Sequence, residues 1–142
     1  METMQNIEKE IVDDFSWFDN WPDKYQYIIE LGQKLEPLSD EYKTDEYKIK
    51  GCQSSVWIKP EVNENKIYFI ADSDSVFVKG LVSLLVRVLS GQKADDIAGA
   101  ELKFIDDIGL MQHLAQTRAN GIGAMINQLK TYAVALQAAQ GN

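Results

Sequence analysis

The chain has 142 residues, 45% of them hydrophobic and 25% charged, which is ordinary for a globular protein and reads as one domain spanning residues 1–142. Its 14 basic against 22 acidic residues give a net charge of −8, and without clustered cations this argues against nucleic acid as a ligand. The acidity fits solubility or docking to a basic partner, and the lone cysteine rules out an internal disulfide framework and fits a reducing, cytoplasmic setting.

The N-terminal stretch is acidic and amphipathic, unlike a signal or transit peptide. Ile7, Ile11, Phe15 and Phe18 recur at steps of three and four, which predicts a helix over 5–18. Asn20, Trp21 and Pro22 interrupt it, and Pro22 opens a second helix at its first position, over about 23–36, which Pro37 closes. A polar run then leads to a short strand near 47–50. After the corner "GCQSS", the segments "SVWIKPEV" and "NKIYFIADS" read as a hairpin joined by "NEN", with Pro60 marking an edge or a bulge. "DSDS" (72–75) offers several N-cap oxygens, Asp74 among them, to the apolar helix that ends at Gly91. That helix carries Lys79 and Arg87 and is too short for a membrane span; Gly80 within it permits close backbone approach. A polar connection follows, then a last helix over about 118–138 with Thr117 as its N-cap. Strands grouped between helices indicate an α+β fold, with a small antiparallel sheet of about three strands packed against several helices.

Chemistry-bearing residues are few. Cys52 has two readings from its surroundings alone: a small buried hydrophobe, or a functional thiol at the tip of a turn that Gly51 makes flexible. One Cys and one His cannot hold a zinc ion or an iron–sulfur cluster. A Cys–His hydrolase would use His113 as base, but no glycine-rich turn into a helix follows Cys52 to form an oxyanion hole. The remaining chemistry is a thiol that reacts with another protein's sulfur.

Three blocks, "GCQSSVWI" (51–58), "DSDSVFVKGLVSLL" (72–85) and "TRANGIGAM" (117–125), resemble in order and spacing the signature blocks of the SufE family, which includes the CsdE branch. The resemblance runs from about residue 15 to residue 131, and the first block is its most specific part. It implies an IscU-like fold and a protein that takes sulfur from a PLP-dependent cysteine desulfurase, stimulates it, and passes the sulfur toward an iron–sulfur cluster scaffold. PLP would reside on the partner, the chain itself carrying no cofactor or metal and contacting neither nucleic acid nor membrane. By the same resemblance Cys52 bears the persulfide, Arg118 lines the thiol's neighbourhood or the docking face, and Asp74 matches the family's acidic residue. Gln53 and Ser54 are expected to hydrogen-bond within the loop, and Trp57 and Ile58 to anchor the strand beneath it. The sequence departs only in detail, with Ile122 where leucine is usual. An adaptor that activates a desulfurase without carrying sulfur is the alternative. The three blocks are common to both branches and do not choose between them.

Overall fold

The structure, a computed structural model, describes residues 3–140. Helix α1 is Met4–Phe15, opened by the Thr3 hydroxyl, which accepts from the Asn6 N–H, and it buries Ile11 and Phe15. Helix α2 is Trp21–Gln33, and Asn20 caps it by accepting from the Asp23 N–H at 2.9 Å. Pro22 therefore occupies the second helical position rather than the first, where its missing N–H still costs nothing. A 3-10 turn at Asp40–Tyr42 leads toward the hairpin.

Strands β1 (Val56–Asn63) and β2 (Lys66–Ser73) pair antiparallel, from Val56 opposite Ser73 to Asn63 opposite Lys66. Glu64 and Asn65, with φ of 52° and 67°, make the tight connection, the left-handed pair that suits a two-residue hairpin. Pro60 stays inside β1. It faces Phe69, whose N–H donates to Ser90 Oγ, so the ladder asks for no donor there.

The expected third strand is reduced to a single bridge. Lys48 faces Trp57, fixed by Ile49 N–H to Val56 O at 2.8 Å and Ile58 N–H to Tyr47 O at 3.0 Å. Just upstream the Tyr47 N–H is spent on a turn back to Thr44 O, and just downstream Gly51 turns the chain with φ +92°. Neither side leaves extended backbone to lengthen the ladder. Among the described residues the sheet therefore has two strands, and the outer edge of β2 is met by a second bridge, Ile67 to Gln92.

Helix α3, Val76–Leu89, buries nine residues and is the centre of the core. It packs along α2, and where Gly80 meets Gly32 and Ile28 the backbones come together with no room for a side chain at either glycine: a Cβ on Gly80 would lie 2.1 Å from Ile28 O, and one on Gly32 2.6 Å from Gly80 N. Gly80 thus has the packing role expected of it, and Gly32 is its partner. Short helices α4 (Ala94–Ala98) and α5 (Phe104–Asp107) and a 3-10 turn at Met111–His113 follow. Helix α6, Gln116–Gln140, lays Ile122, Met125, Leu129 and Ala133 into the core. It starts one residue before Thr117, which lies inside its first turn and is not the cap. No helix of the described residues is long and apolar enough to cross a membrane.

Candidate functional site

The bridge at Lys48 and Trp57 closes the stem of a loop, residues 50–55, with Cys52 near its tip. Gly51 is required by its backbone: φ is +92°, and an added Cβ would meet the Ala124 methyl at 3.4 Å. This turn lays Cys52 against α6. The thiol Sγ is 3.6 Å from the Gly121 carbonyl oxygen, to which it donates a weak hydrogen bond. A Cβ at Gly121 would lie 3.6 Å from Sγ, in ordinary van der Waals contact, so what this residue contributes is its carbonyl.

Beneath the thiol lies a cavity of about 40 Å³, walled by Gln53, Val78, Leu81, Thr117, Arg118 and Met125. Ser54 also faces it. The space is enough for one water-sized group. Cys52 is half-buried, and burial pushes its thiol pKa up from the ordinary cysteine value. In this position the sulfur is a protonated, weak nucleophile.

Asp74 lies on the other side of the loop and does not cap α3. Ser75 is the cap, its hydroxyl accepting from the Val78 N–H at 3.3 Å. The Asp74 carboxylate instead accepts the Ser55 N–H at 3.0 Å, while the Asp74 N–H donates to Ser55 O at 3.2 Å. Ser73 Oγ–H donates to the same Ser55 carbonyl at 2.8 Å. Three hydrogen bonds therefore pin the downstream root of the loop to the β2–α3 junction. Gln53 and Ser54 depart from expectation: among the described residues neither makes the expected bond within the loop, and both line the cavity. Val56 and Ile58 rather than Trp57 are the fully buried anchors of the strand below.

Arg118 stands where the cavity meets a wider open groove of about 510 Å³, whose other walls include Tyr25, Ile29, Phe77, His113 and Leu114. Its guanidinium lies 4.8 Å from the Phe77 ring centroid, and it has no carboxylate partner among the described residues. His113 is on the groove and not at the thiol. Its ring stacks on Trp21 at 4.0 Å, and Nδ1 is 2.9 Å from Gly109 O. Among the described residues the only hydrogen bond of Cys52 Sγ runs to Gly121, so the Cys–His pair of a hydrolase is not assembled. Among the same residues no three His, Cys, Asp or Glu side chains converge as a metal site.

The site thus brings together Gly51, Cys52, Gln53, Ser54 and Arg118, with Asp74 at the loop's root. Sequence reading missed Gly121, whose contribution is a backbone carbonyl; the Gly-x-Gly pattern of 121 and 123 inside a helix was its one visible trace.

Together these features define an α+β protein organised around one half-buried thiol on a pinned loop. Comparison with known proteins places it further. The SufE family, described as an Fe-S metabolism associated domain, matches residues 9–133. An uncharacterized SufE-like protein of Rhizobium meliloti (strain 1021) is 36% identical over 129 residues, covering 87% of this chain and 92% of the relative. A second uncharacterized SufE-like protein, from Rhizobium etli, is 38% identical over 126 residues, covering 85% of each. The solution structure of a hypothetical protein from Thermus thermophilus superposes with a TM-score of 0.73, covering 89% of this chain and 93% of that one. At 18% identity that likeness shows the fold alone. The chain belongs to the SufE family, whose domain is associated with iron–sulfur metabolism.

Proposed function

We propose that this chain is a sulfur acceptor that relieves a PLP-dependent cysteine desulfurase of its persulfide and carries the sulfur, on Cys52, toward iron–sulfur cluster assembly. The observation that carries the reading is the seating of the only thiol: half-buried at a loop tip, over a cavity with room for one added atom.

In the transfer, the Cys52 thiolate attacks the outer sulfur of the partner's persulfide. A new S–S bond forms on Cys52, the partner's S–S bond breaks, and the partner's cysteine leaves as its thiolate, with no external oxidant or reductant. The proton lost by Cys52 balances the one the leaving thiolate regains. In the tucked position the raised thiol pKa opposes attack. The loop therefore swings out on docking, where Cys52 ionises, and returns to shield the loaded sulfur. Arg118, uncommitted to any carboxylate among the described residues and facing both cavity and groove, is the cation that receives the emerging anion or the docking partner. PLP belongs to the partner, the C–S bond is cleaved there, and the chain is an accessory rather than a stand-alone enzyme, working in the cytoplasm and handing sulfur to a cluster scaffold.

The test is intact-protein mass spectrometry after incubation with a cysteine desulfurase and free cysteine. The expected result is a gain of sulfur mass that a thiol reductant reverses and Cys52→Ser abolishes. Desulfurase turnover stimulated equally by wild type and Cys52→Ser, with no mass gained, would move the function to an allosteric adaptor.

A further inference from the structure

One carboxylate outside the thiol site ties three segments together. Asp72, near the end of β2 and opposite Trp57, is only 6% exposed. Its carboxylate receives Lys43 Nζ at 3.2 Å and Lys79 Nζ at 3.3 Å, and the Ser73 N–H at 2.8 Å. Lys79 comes from α3. Lys43 ends the 3-10 turn, also reaches Asp40 at 3.2 Å, and lies 5.8 Å from the Trp57 ring centroid. Burial alone would push the Asp72 pKa up. The Ser73 N–H and then the two lysines outweigh it, so the carboxyl sits below the ordinary aspartate range and stays charged.

The position of this cluster along the chain gives it a consequence for Cys52. Asp72 lies just before Asp74, which holds the downstream root of the loop at Ser55. Lys43 lies just before the bridge that forms the upstream root, where Ile49 meets Val56. Among the described residues, Lys43 to Asp72 is the one ion pair joining the segment ahead of the loop to the sheet. The two arms of the thiol loop are thus fastened to the same carboxylate, one by an ionic contact and one through the chain.

We propose that Lys43, Asp72 and Lys79 form a clamp that positions the Cys52 loop and sets how often the thiol leaves its cavity. With the clamp closed the stem is held and Cys52 rests against Gly121. With Lys43 released, the upstream arm slackens and the loop opens about its downstream root. Lys43 and Asp72 are positioning residues, acting on the thiol through the stem. The proposal deepens the reading of Cys52 as acceptor and rests on it for its purpose, but its test needs no desulfurase.

The experiment follows alkylation of the single thiol by iodoacetamide in the full chain, read by intact mass, together with hydrogen exchange. Lys43→Met is expected to raise the alkylation rate roughly fivefold, the population change that goes with losing one partly buried ion pair, while Lys43→Arg restores it to within about twofold. Exchange should rise over residues 47–55 and stay unchanged in α3. The pH midpoint of alkylation should fall, because the thiol spends more time outside the seat whose burial raises its pKa. Arg118 is the charged group lining that seat. If Lys43 acted on the sulfur only as another nearby cation, its removal would move the midpoint up. Asp72→Asn, which keeps the shape and removes the charge, should repeat the rate increase and serves if Lys43→Met does not fold. An unchanged rate in both variants overturns the clamp, as does a rate that rises together with exchange throughout β1, β2 and α3. A missing sulfur gain in the desulfurase assay would overturn the carrier reading and leave this result standing.

Discussion

The α2–α3 contact and the Cys52 loop are both built on glycine, and they use it in opposite ways. At Gly32 and Gly80 the missing side chains bring two helices so near that a Cβ on Gly80 would lie 2.1 Å from a backbone oxygen. That contact cannot loosen by degrees, because packed backbones have no soft atoms to give. At Gly51 the missing side chain permits a backbone turn, φ +92°, that ends on a tip held by the hydrogen bond from the thiol to Gly121. The first arrangement fixes the platform, and the second ends on a tip whose side chain is held by one weak hydrogen bond. The proposed role as a sulfur acceptor would draw on both, since a thiol on a soft platform would be reduced by whatever reached it, and one on a rigid tip would reach no partner.

The sharpest way to break the contrast is Gly80→Ala. Alanine should gain about 1 kcal/mol of helix propensity, yet the clash with Ile28 O forces the helices apart. We expect a net loss of about 3 kcal/mol, read as a lower urea midpoint. A variant as stable as wild type would show that α2 and α3 have freedom that this contact denies them. Gly51→Ala should cost less, about 1–2 kcal/mol, because the strain of a positive φ falls on a loop that can shift. Its larger effect should be on Cys52, whose alkylation should accelerate while hydrogen exchange in α3 stays as it was. Faster exchange in α3 with unchanged alkylation would reverse the assignment of rigid and mobile parts.

Asp74→Ala removes the acceptor for the Ser55 N–H at the downstream root. The bond is solvent-exposed, so the stability loss should be about 1 kcal/mol. Asp74→Asn retains an acceptor oxygen and should recover most of it. Equal losses for the two would mean that the charge, not the hydrogen bond, holds the loop.

The two regions were unequally legible in the sequence, for the same physical reason that separates them. Helices bury one face at a fixed period, so Ile7, Ile11 and Phe15, or Ile122, Met125 and Leu129, announce themselves. The thiol loop announced its residues but not its bonds. Four side chains in "DSDS" can each cap a helix, and only the path of the backbone decides that Ser75 does so while Asp74 turns to Ser55. The third strand looked plausible because Tyr47 and Ile49 suit a strand; the turn from Thr44 to Tyr47 and the kink at Gly51, which shorten it to a bridge, are backbone events. Gly32 left no signal and Gly121 only the spacing of two glycines, because what matters there is an absence or a carbonyl. Lys43 and Asp72 meet across a long stretch of chain, and nothing local to either residue names the other.

The smallest expected effect concerns the thiol itself and has a definite sign. Burial raises the Cys52 pKa in the folded chain above its value in the unfolded one, so the neutral thiol is the form the fold prefers. The stability this seat contributes is complete below the unfolded cysteine pKa, about 8.5, and is lost as pH rises through the raised folded value. Measured by urea unfolding, wild type should therefore lose stability relative to Cys52→Ala from about pH 8.5 upward, while the difference between them stays constant at lower pH. A difference that is flat across that range would mean the thiol is already in water at rest. The loop would then have no tucked state to leave, and the contrast with the helix contact would reduce to order against disorder.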